Sequence, residues 1–396
     1  MKKGWEMKML GDVLEKTETT NPARLPQNEF NYIDVSSVSN ETLTIQETQY
    51  LKGEDAPSRA RRLVKANDVL FATIRPTLRR IAIVPEELDN QVCSTGYCVL
   101  RARPDIDPRF VFYFLQTEDF MSAMETLQKG TSYPAVTDGD VRLQPIPIPP
   151  LTEQHRIVRL LDEAFEGLAT AKANAEKNLQ NARALFESHL QSVFAQRGEG
   201  WVERQLASLC NEITVGHVGS MKTKYMESGI PFLRSQNIRP FEVSMENAMF
   251  IDETFHHALK KSQLSPGDLA IVRTGYPGTA AVIPPELPDS NCSDLVIVRP
   301  SNEVNPHFLA AFFNSAFGKK LVLGKIVGAA QKHFNITAAK EVMLYVPPIP
   351  EQLAIIAQSD EIRNETQHLT RIYEQKVAAL EELKKSLLHQ AFSGEL

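Results

Sequence analysis

Two stretches of the chain carry an apolar pattern unlike the rest. Between 151 and 196, apolar side chains recur at Ile157, Leu161, Ala164, Leu168, Ala171, Ala175, Ala182, Leu185 and Val193, and Gly167 is the only glycine or proline. These steps follow the alternating four-and-three spacing of a heptad seam, which predicts a long helix packed against another helix. Prolines precede it, Thr152 can cap it, Glu153 places a negative charge in its first turn, and Gly198 can stop it. Residues 351 to 393 repeat the design, with Ile362, Leu369, Tyr373, Leu380, Leu383 and Leu387 on one stripe and Gly394 beyond. At 1.5 Å per residue, each helix would run roughly 60 to 70 Å. That is too long to fold back on a small domain, so the two are expected to pair as an antiparallel coiled coil, the alanines allowing close approach. Elsewhere the pattern is of short β-branched runs, Gly/Pro turns and helical patches such as RFVFYFLQTEDFMSAMETLQ, which predicts compact mixed α/β domains.

The second half restates the first at an offset near 198. Gly4-Trp5 returns as Gly200-Trp201, and Tyr32-Ile33-Asp34 as Phe232-Leu233-Arg234. NDVLFATIRPTLRRIAIVPEEL matches GDLAIVRTGYPGTAAVIPPEL, Cys93-Ser94 falls on Cys292-Ser293, and Asp107-Pro108-Arg109-Phe110 falls on Asn305-Pro306-His307-Phe308. PPLTEQHRIV (149–158) aligns without a gap on PPIPEQLAII (347–356). The expected organisation is a first α/β domain over 1–150, a helix over 151–199, a second α/β domain over 200–349 and a second helix over 350–396.

Charge narrows the function. The net charge is −6, and residues 201–349, the most basic segment, carry only 14 basic against 13 acidic side chains. Bulk attraction to nucleic acid is therefore excluded, and any contact with DNA must come from local clusters. The four cysteines (Cys93, Cys98, Cys210, Cys292) lack zinc-type spacing and read as buried thiols. With no apolar run of about 18 residues, the expectation is a soluble, cytoplasmic chain that does not engage a membrane.

A PP-L/I-x-EQ element opening a long helix, present twice about 200 residues apart and each time after a Gly-Trp-led α/β domain, resembles the specificity subunits of type I restriction-modification enzymes. The resemblance covers essentially the whole chain. It implies two target-recognition domains, each reading one half of a split sequence in double-stranded DNA, and a helix pair that sets the spacer and docks two methyltransferase subunits. Two restriction subunits would complete an adenine-specific methyltransferase and ATP-dependent endonuclease. It further implies that S-adenosylmethionine, ATP and Mg are held by those partners, with no cofactor or metal in this chain. Because the two halves differ in sequence, the target should be asymmetric.

Two loops per domain are candidates for touching DNA. The first carries Arg75, Arg79 and Arg80 in one half and Arg273, Thr274 and Tyr276 in the other. Arginine either pairs with guanine or holds phosphate, and Gly275 and Gly278 let the backbone approach closely. Arg59, Arg61 and Arg62 form a basic cluster upstream, either a DNA contact or a solvated face. The second loop carries Thr131, Ser132 and Tyr133, matched by Gln331, Lys332 and His333; glutamine can read adenine and lysine can hold phosphate. Arg234, Gln236 and Asn237 form a third polar set, available to DNA or to neighbouring backbone.

Two rival readings compete with this one. Asn305-Pro306-His307-Phe308 looks like the NPPY/F tetrapeptide of amino-methyltransferases, but its repeat partner at Asp107 lacks that character, and both suit a helix start. Neither copy has a companion cofactor loop, and no GxxxxGK[ST] loop occurs. The other rival is a coiled-coil scaffold without sequence-specific DNA binding, against which the duplicated arginine-bearing loops count.

Overall fold

The computed structural model describes residues 2, 4–196, 198–324 and 333–396. It divides into two compact units, Met1–Ala175 with Gln375–Leu396, and Glu176–Glu374.

In the first unit, the run Val69–Ala72 is buried at every position, as expected of a central strand covered on both faces. It pairs antiparallel with Ile81–Ile83 on one side and Tyr97–Leu100 on the other. A four-stranded mixed sheet runs Gln49–Lys52, Glu29–Ile33, Val92–Ser94, Ala60–Leu63, its middle pair parallel. The predicted helical patch forms two helices, Pro108–Phe114 and Glu118–Leu127, capped by the side chains of Asp107 and Thr117. Their phenylalanines meet Phe71 in the main core, with Phe120 standing edge-on to Phe71 at 5.2 Å.

The second unit repeats the plan. Leu269–Val272 is buried throughout and lies between Leu295–Pro300 and Ala280–Val282. A second mixed sheet runs Met249–Ile251, Ile230–Leu233, Ser290–Cys292, Gln263–Leu264. Helix Pro306–Asn314, capped by Asn305, supplies Phe308, Phe312 and Phe313 to the core. The Asn305 tetrapeptide is thus a helix start in the structure, as its repeat partner is.

The repeated PP-x-x-EQ element is explained by its glutamine. Gln154, 1% exposed, accepts from the Asp107 backbone N–H at 2.9 Å and donates to the carbonyls of Pro149 at 2.9 Å and Asp105 at 3.3 Å. Gln352, fully buried, makes the same bonds to Asn305 at 2.8 Å, Pro347 at 2.9 Å and Glu303 at 3.2 Å. One buried amide in each unit therefore ties the start of a long helix to the cap of the Phe-bearing helix, satisfying backbone groups that burial would otherwise penalise.

The long helices run Leu151–Ala195 and Ile349–Ser393, and they pack on each other antiparallel in both units. In the first, Lys172 pairs with Glu381 at 2.8 Å and the Lys384 ammonium stands 5.0 Å from the Phe165 ring. In the second, Arg183 pairs with Glu374 at 2.7 Å and His189 meets the Ser359 hydroxyl at 3.1 Å, over the buried Ala182 and Thr366. The exposed ion pairs add little; the alanine seam carries the contact.

The seam differs from the predicted heptad at its far end. Leu185 and Leu383, repeat partners 198 residues apart, are 53% and 47% exposed. The buried stripe continues instead through Leu190 and Phe194, and through Leu388 and Ala391. The cause is an added neighbour: these last turns pack on an α/β domain as well as on the helix partner, so the buried stripe widens toward the domain. Phe194 contacts Phe308 at 5.4 Å and Phe312 at 5.5 Å, and Phe392 contacts Phe110 at 4.8 Å and Phe114 at 5.6 Å. The second helix therefore ends in the core of the first domain, where sequence order had assigned the helix only to the coiled coil.

Candidate nucleic-acid interface

In each unit the fold brings together loops that are some 60 residues apart in sequence. After the buried strand Val69–Ala72, Thr73 donates through its backbone N–H (2.8 Å) and hydroxyl (3.0 Å) to the Gly96 carbonyl. Its own carbonyl accepts from Val136 at 3.0 Å, and the Arg75 N–H donates to Pro134 at 2.7 Å. The first and second candidate loops are thus sewn together by backbone hydrogen bonds. Arg75 and Arg79 both lie in the left-handed region, with φ of 50° and 52° on either side of the turn Pro76–Leu78. Left-handed backbone costs a non-glycine residue roughly 1–2 kcal/mol, so the surrounding bonds hold this turn against local preference.

The side chains on this surface divide by partner. Arg75 is exposed, its guanidinium 5.3 Å from the centre of the Tyr133 ring, and Tyr133 is itself 72% exposed beside the exposed Thr131 and Ser132. Arg59 is also exposed, and its carbonyl accepts from Thr95 at 2.8 Å, next to Gly96 in the same patch. Neither Arg59 nor Arg75 has an acidic partner among the described residues. The other arginines are engaged within the domain: Arg62 with Asp138 at 2.5 Å, Arg79 with Glu118 at 2.9 Å, Arg80 with the Val35 carbonyl at 2.8 Å, and Arg61 with the Ala60 carbonyl at 2.8 Å. The Arg79 guanidinium holds the Glu118 carboxyl below its ordinary range, so that pair remains charged on both sides.

The second unit builds the same surface from different residues. The Arg273 carbonyl accepts from the Phe334 N–H at 3.2 Å, its Nε donates back to the Phe334 carbonyl at 3.3 Å, and Thr274 lies 3.4 Å from His333 Nδ1. The turn beyond is made possible by Gly275 and Gly278, at φ of 85° and 90°, and it raises Tyr276 to 84% exposure. Gln331 and Lys332 lie outside the described residues.

The third polar set mostly serves the backbone. Asn237 is fully buried, accepts from the Arg234 N–H at 3.0 Å and donates to the carbonyls of Ser244 and Glu246, so its amide is closed to DNA. Arg234 and Gln236 both donate to the Asn247 carbonyl, at 3.0 Å and 3.3 Å, with Gln236 still exposed.

Asp294 was not among the sequence candidates, yet it stands in this patch. It accepts from the Thr274 hydroxyl at 2.5 Å, lies 3.7 Å from Arg273, and its carbonyl accepts from Ser235 at 3.3 Å. It follows Cys292-Ser293 as Thr95 follows Cys93-Ser94. The repeat marks the position, but nothing in the sequence sets this acid apart from the chain's other carboxylates.

The thiols lie apart from this chemistry. Cys93, Cys98 and Cys292 are buried and Cys210 half-buried, all unbridged, and burial pushes Cys98 and Cys210 up to about 12. Among the described residues, no cluster of His, Cys, Asp or Glu is arranged to hold a metal ion, and no helix is long and apolar enough to cross a membrane.

Two similar domains with paired loop surfaces, joined to two long helices, have counterparts among known proteins. The family model for the type I restriction modification DNA specificity domain matches residues 2–179. The specificity subunit of the type I restriction enzyme EcoKI from Escherichia coli (strain K12) is 24% identical over 77% of this chain and 69% of its own length. The HsdS subunit from Thermoanaerobacter tengcongensis superposes with a TM-score of 0.70 at 28% identity, covering 100% of this chain and 98% of that one. A chain from a study of complex assembly and conformational transition of the type I R-M system superposes with a TM-score of 0.87 at 28% identity, over 100% and 99%. Over its whole length the chain is thus similar to type I restriction-modification specificity subunits.

Proposed function

We propose that this chain is the non-catalytic specificity subunit of a type I restriction-modification complex, acting in the cytoplasm on double-stranded DNA. Each recognition domain reads one half of an asymmetric, split target through its paired loops. The 45-residue helices, each about 68 Å long at 1.5 Å per residue, set the spacing between half-sites. They also offer the surface on which two methyltransferase subunits dock, with two restriction subunits completing the nuclease. S-adenosylmethionine, ATP and Mg belong to those partners. Methylation and cleavage are assigned to them because this sequence holds no nucleotide loop and its one methyltransferase-like tetrapeptide is a helix cap.

The observation that carries this reading is the convergence of the same two loops in both units, with Arg75 and Tyr133 exposed in one and Tyr276 in the other. Conserved geometry with altered side chains is what reading two different half-sites requires. Base-edge contacts specify sequence, while phosphate contacts only position the protein. The test is selection from a random duplex pool by the chain together with its methyltransferase subunits. Two short fixed blocks separated by a constant unspecified gap are expected. Equal retention of all sequences would refute recognition.

A further inference from the structure

We infer that Asp294 is a specificity-determining residue of the second recognition domain, accepting a hydrogen bond from an exocyclic base amine, cytosine N4 or adenine N6, in the major groove of the second half-site. The inference rests on the DNA-reading role proposed above.

Asp294 stands where all the candidate elements of that domain meet. One carboxylate oxygen takes the Thr274 hydroxyl, the backbone carbonyl takes Ser235, and Thr274 in turn lies beside His333. The other oxygen is 3.7 Å from Arg273, beyond hydrogen-bond length, and the Arg273 Nε is directed to the Phe334 carbonyl instead. Among the described residues an acceptor is therefore left over on a side chain that is 44% exposed. Its backbone, at φ 56°, lies in the left-handed region that an aspartate tolerates better than most residues, so its position is set by the loop.

The electrostatics then select the ligand. A carboxylate facing duplex DNA is repelled by the phosphates, which only accept hydrogen bonds. In the major groove, guanine and thymine present only acceptors, and the donors are the amines of cytosine and adenine. An acid with a free acceptor in a reading surface is compatible with binding only opposite one of those amines. The matching position of the first domain is Thr95, which carries no charge, so the effect is confined to the second half-site.

The experiment is the same duplex-pool selection, run in parallel with wild-type chain, Asp294→Ala and Asp294→Asn, each with its methyltransferase subunits. Wild-type protein is expected to fix cytosine or adenine at one position of one half-site. Asp294→Ala should relax that position by roughly 5- to 150-fold, the equivalent of about 1 to 3 kcal/mol, leaving the other half-site intact as an internal check of folding. Asp294→Asn keeps an acceptor for Thr274 and so preserves the loop, while its added donor should change the preferred base at that position alone. An unchanged motif in both variants, or an equal loss at every position of the half-site in both, would overturn the inference by showing a purely structural role. A wild-type selection that yields no split sequence would instead refute DNA recognition itself, and this inference with it.

Discussion

Replacing Gln352 with leucine tests the claim that the repeated EQ element is a buried clamp. Leucine keeps nearly the same volume but removes all three hydrogen bonds, to the Asn305 N–H and to the Pro347 and Glu303 carbonyls. Glu303 is exposed and water can replace its bond, whereas the other two groups are left without a partner at a fully buried side chain. At about 1–3 kcal/mol for each unsatisfied group, the second unit should lose about 2 to 6 kcal/mol. Global stability of a small domain is only about 5–15 kcal/mol, so this is a large effect. The chain has two tryptophans, one per unit. In a Trp5→Phe background, urea unfolding followed by Trp201 fluorescence reports on the second unit alone. The midpoint of that transition should fall, and Gln154→Leu in a Trp201→Phe background should lower the first unit's transition by a similar amount. A shift worth less than about 0.5 kcal/mol in either pair would refute the clamp, because surface substitutions reach that size without any such role.

Phe392→Ala should destabilise the first domain by about 2–3 kcal/mol and Phe194→Ala the second by about 3 kcal/mol, each read by the tryptophan of that unit; the reverse assignment would contradict the observed seating of the helix ends. Glu153, held down to about 2 chiefly by Arg156 and then by Lys2, contributes stability that is fully present above its ordinary value of 4.5 and is lost as pH falls toward 2. Glu153→Gln should therefore lower the urea midpoint at pH 7, with the difference from wild type narrowing below pH 4.5; a difference that stayed constant would exclude the ion pair as its source. Matched whole-turn insertions in both long helices should change the gap between half-sites without changing their bases, as read by duplex selection.

The repeat made much of the fold legible. Once Asp107 was aligned with Asn305, the tempting methyltransferase motif became a helix cap, and the structure places both residues in that role. Heptad spacing found the helix pair, but it kept Leu185 and Leu383 on the seam where the buried stripe turns toward the adjoining α/β domain. Local periodicity records that a face is buried, not what buries it. That Phe392 closes the core of a domain beginning near residue 5 depends on contacts across more than 250 residues, for which the sequence has no local signal. The candidate surface was legible to a similar depth. Glycine and arginine content marked the loops that converge, yet nothing in the sequence revealed that Asp138, Glu118 and the Val35 carbonyl would engage Arg62, Arg79 and Arg80. Asp294 was passed over because affinity for DNA is sought in positive charge, whereas discrimination between bases also uses acceptors.

The central claim, that this chain chooses a split DNA sequence, is tested most directly by mapping methylated adenines across the genome of a host that expresses the methyltransferase subunit with and without it. The account predicts modification at one asymmetric motif, two short blocks with a fixed gap, that appears only when the chain is present. Modification that is unchanged by the chain, or scattered without a common sequence, would contradict it.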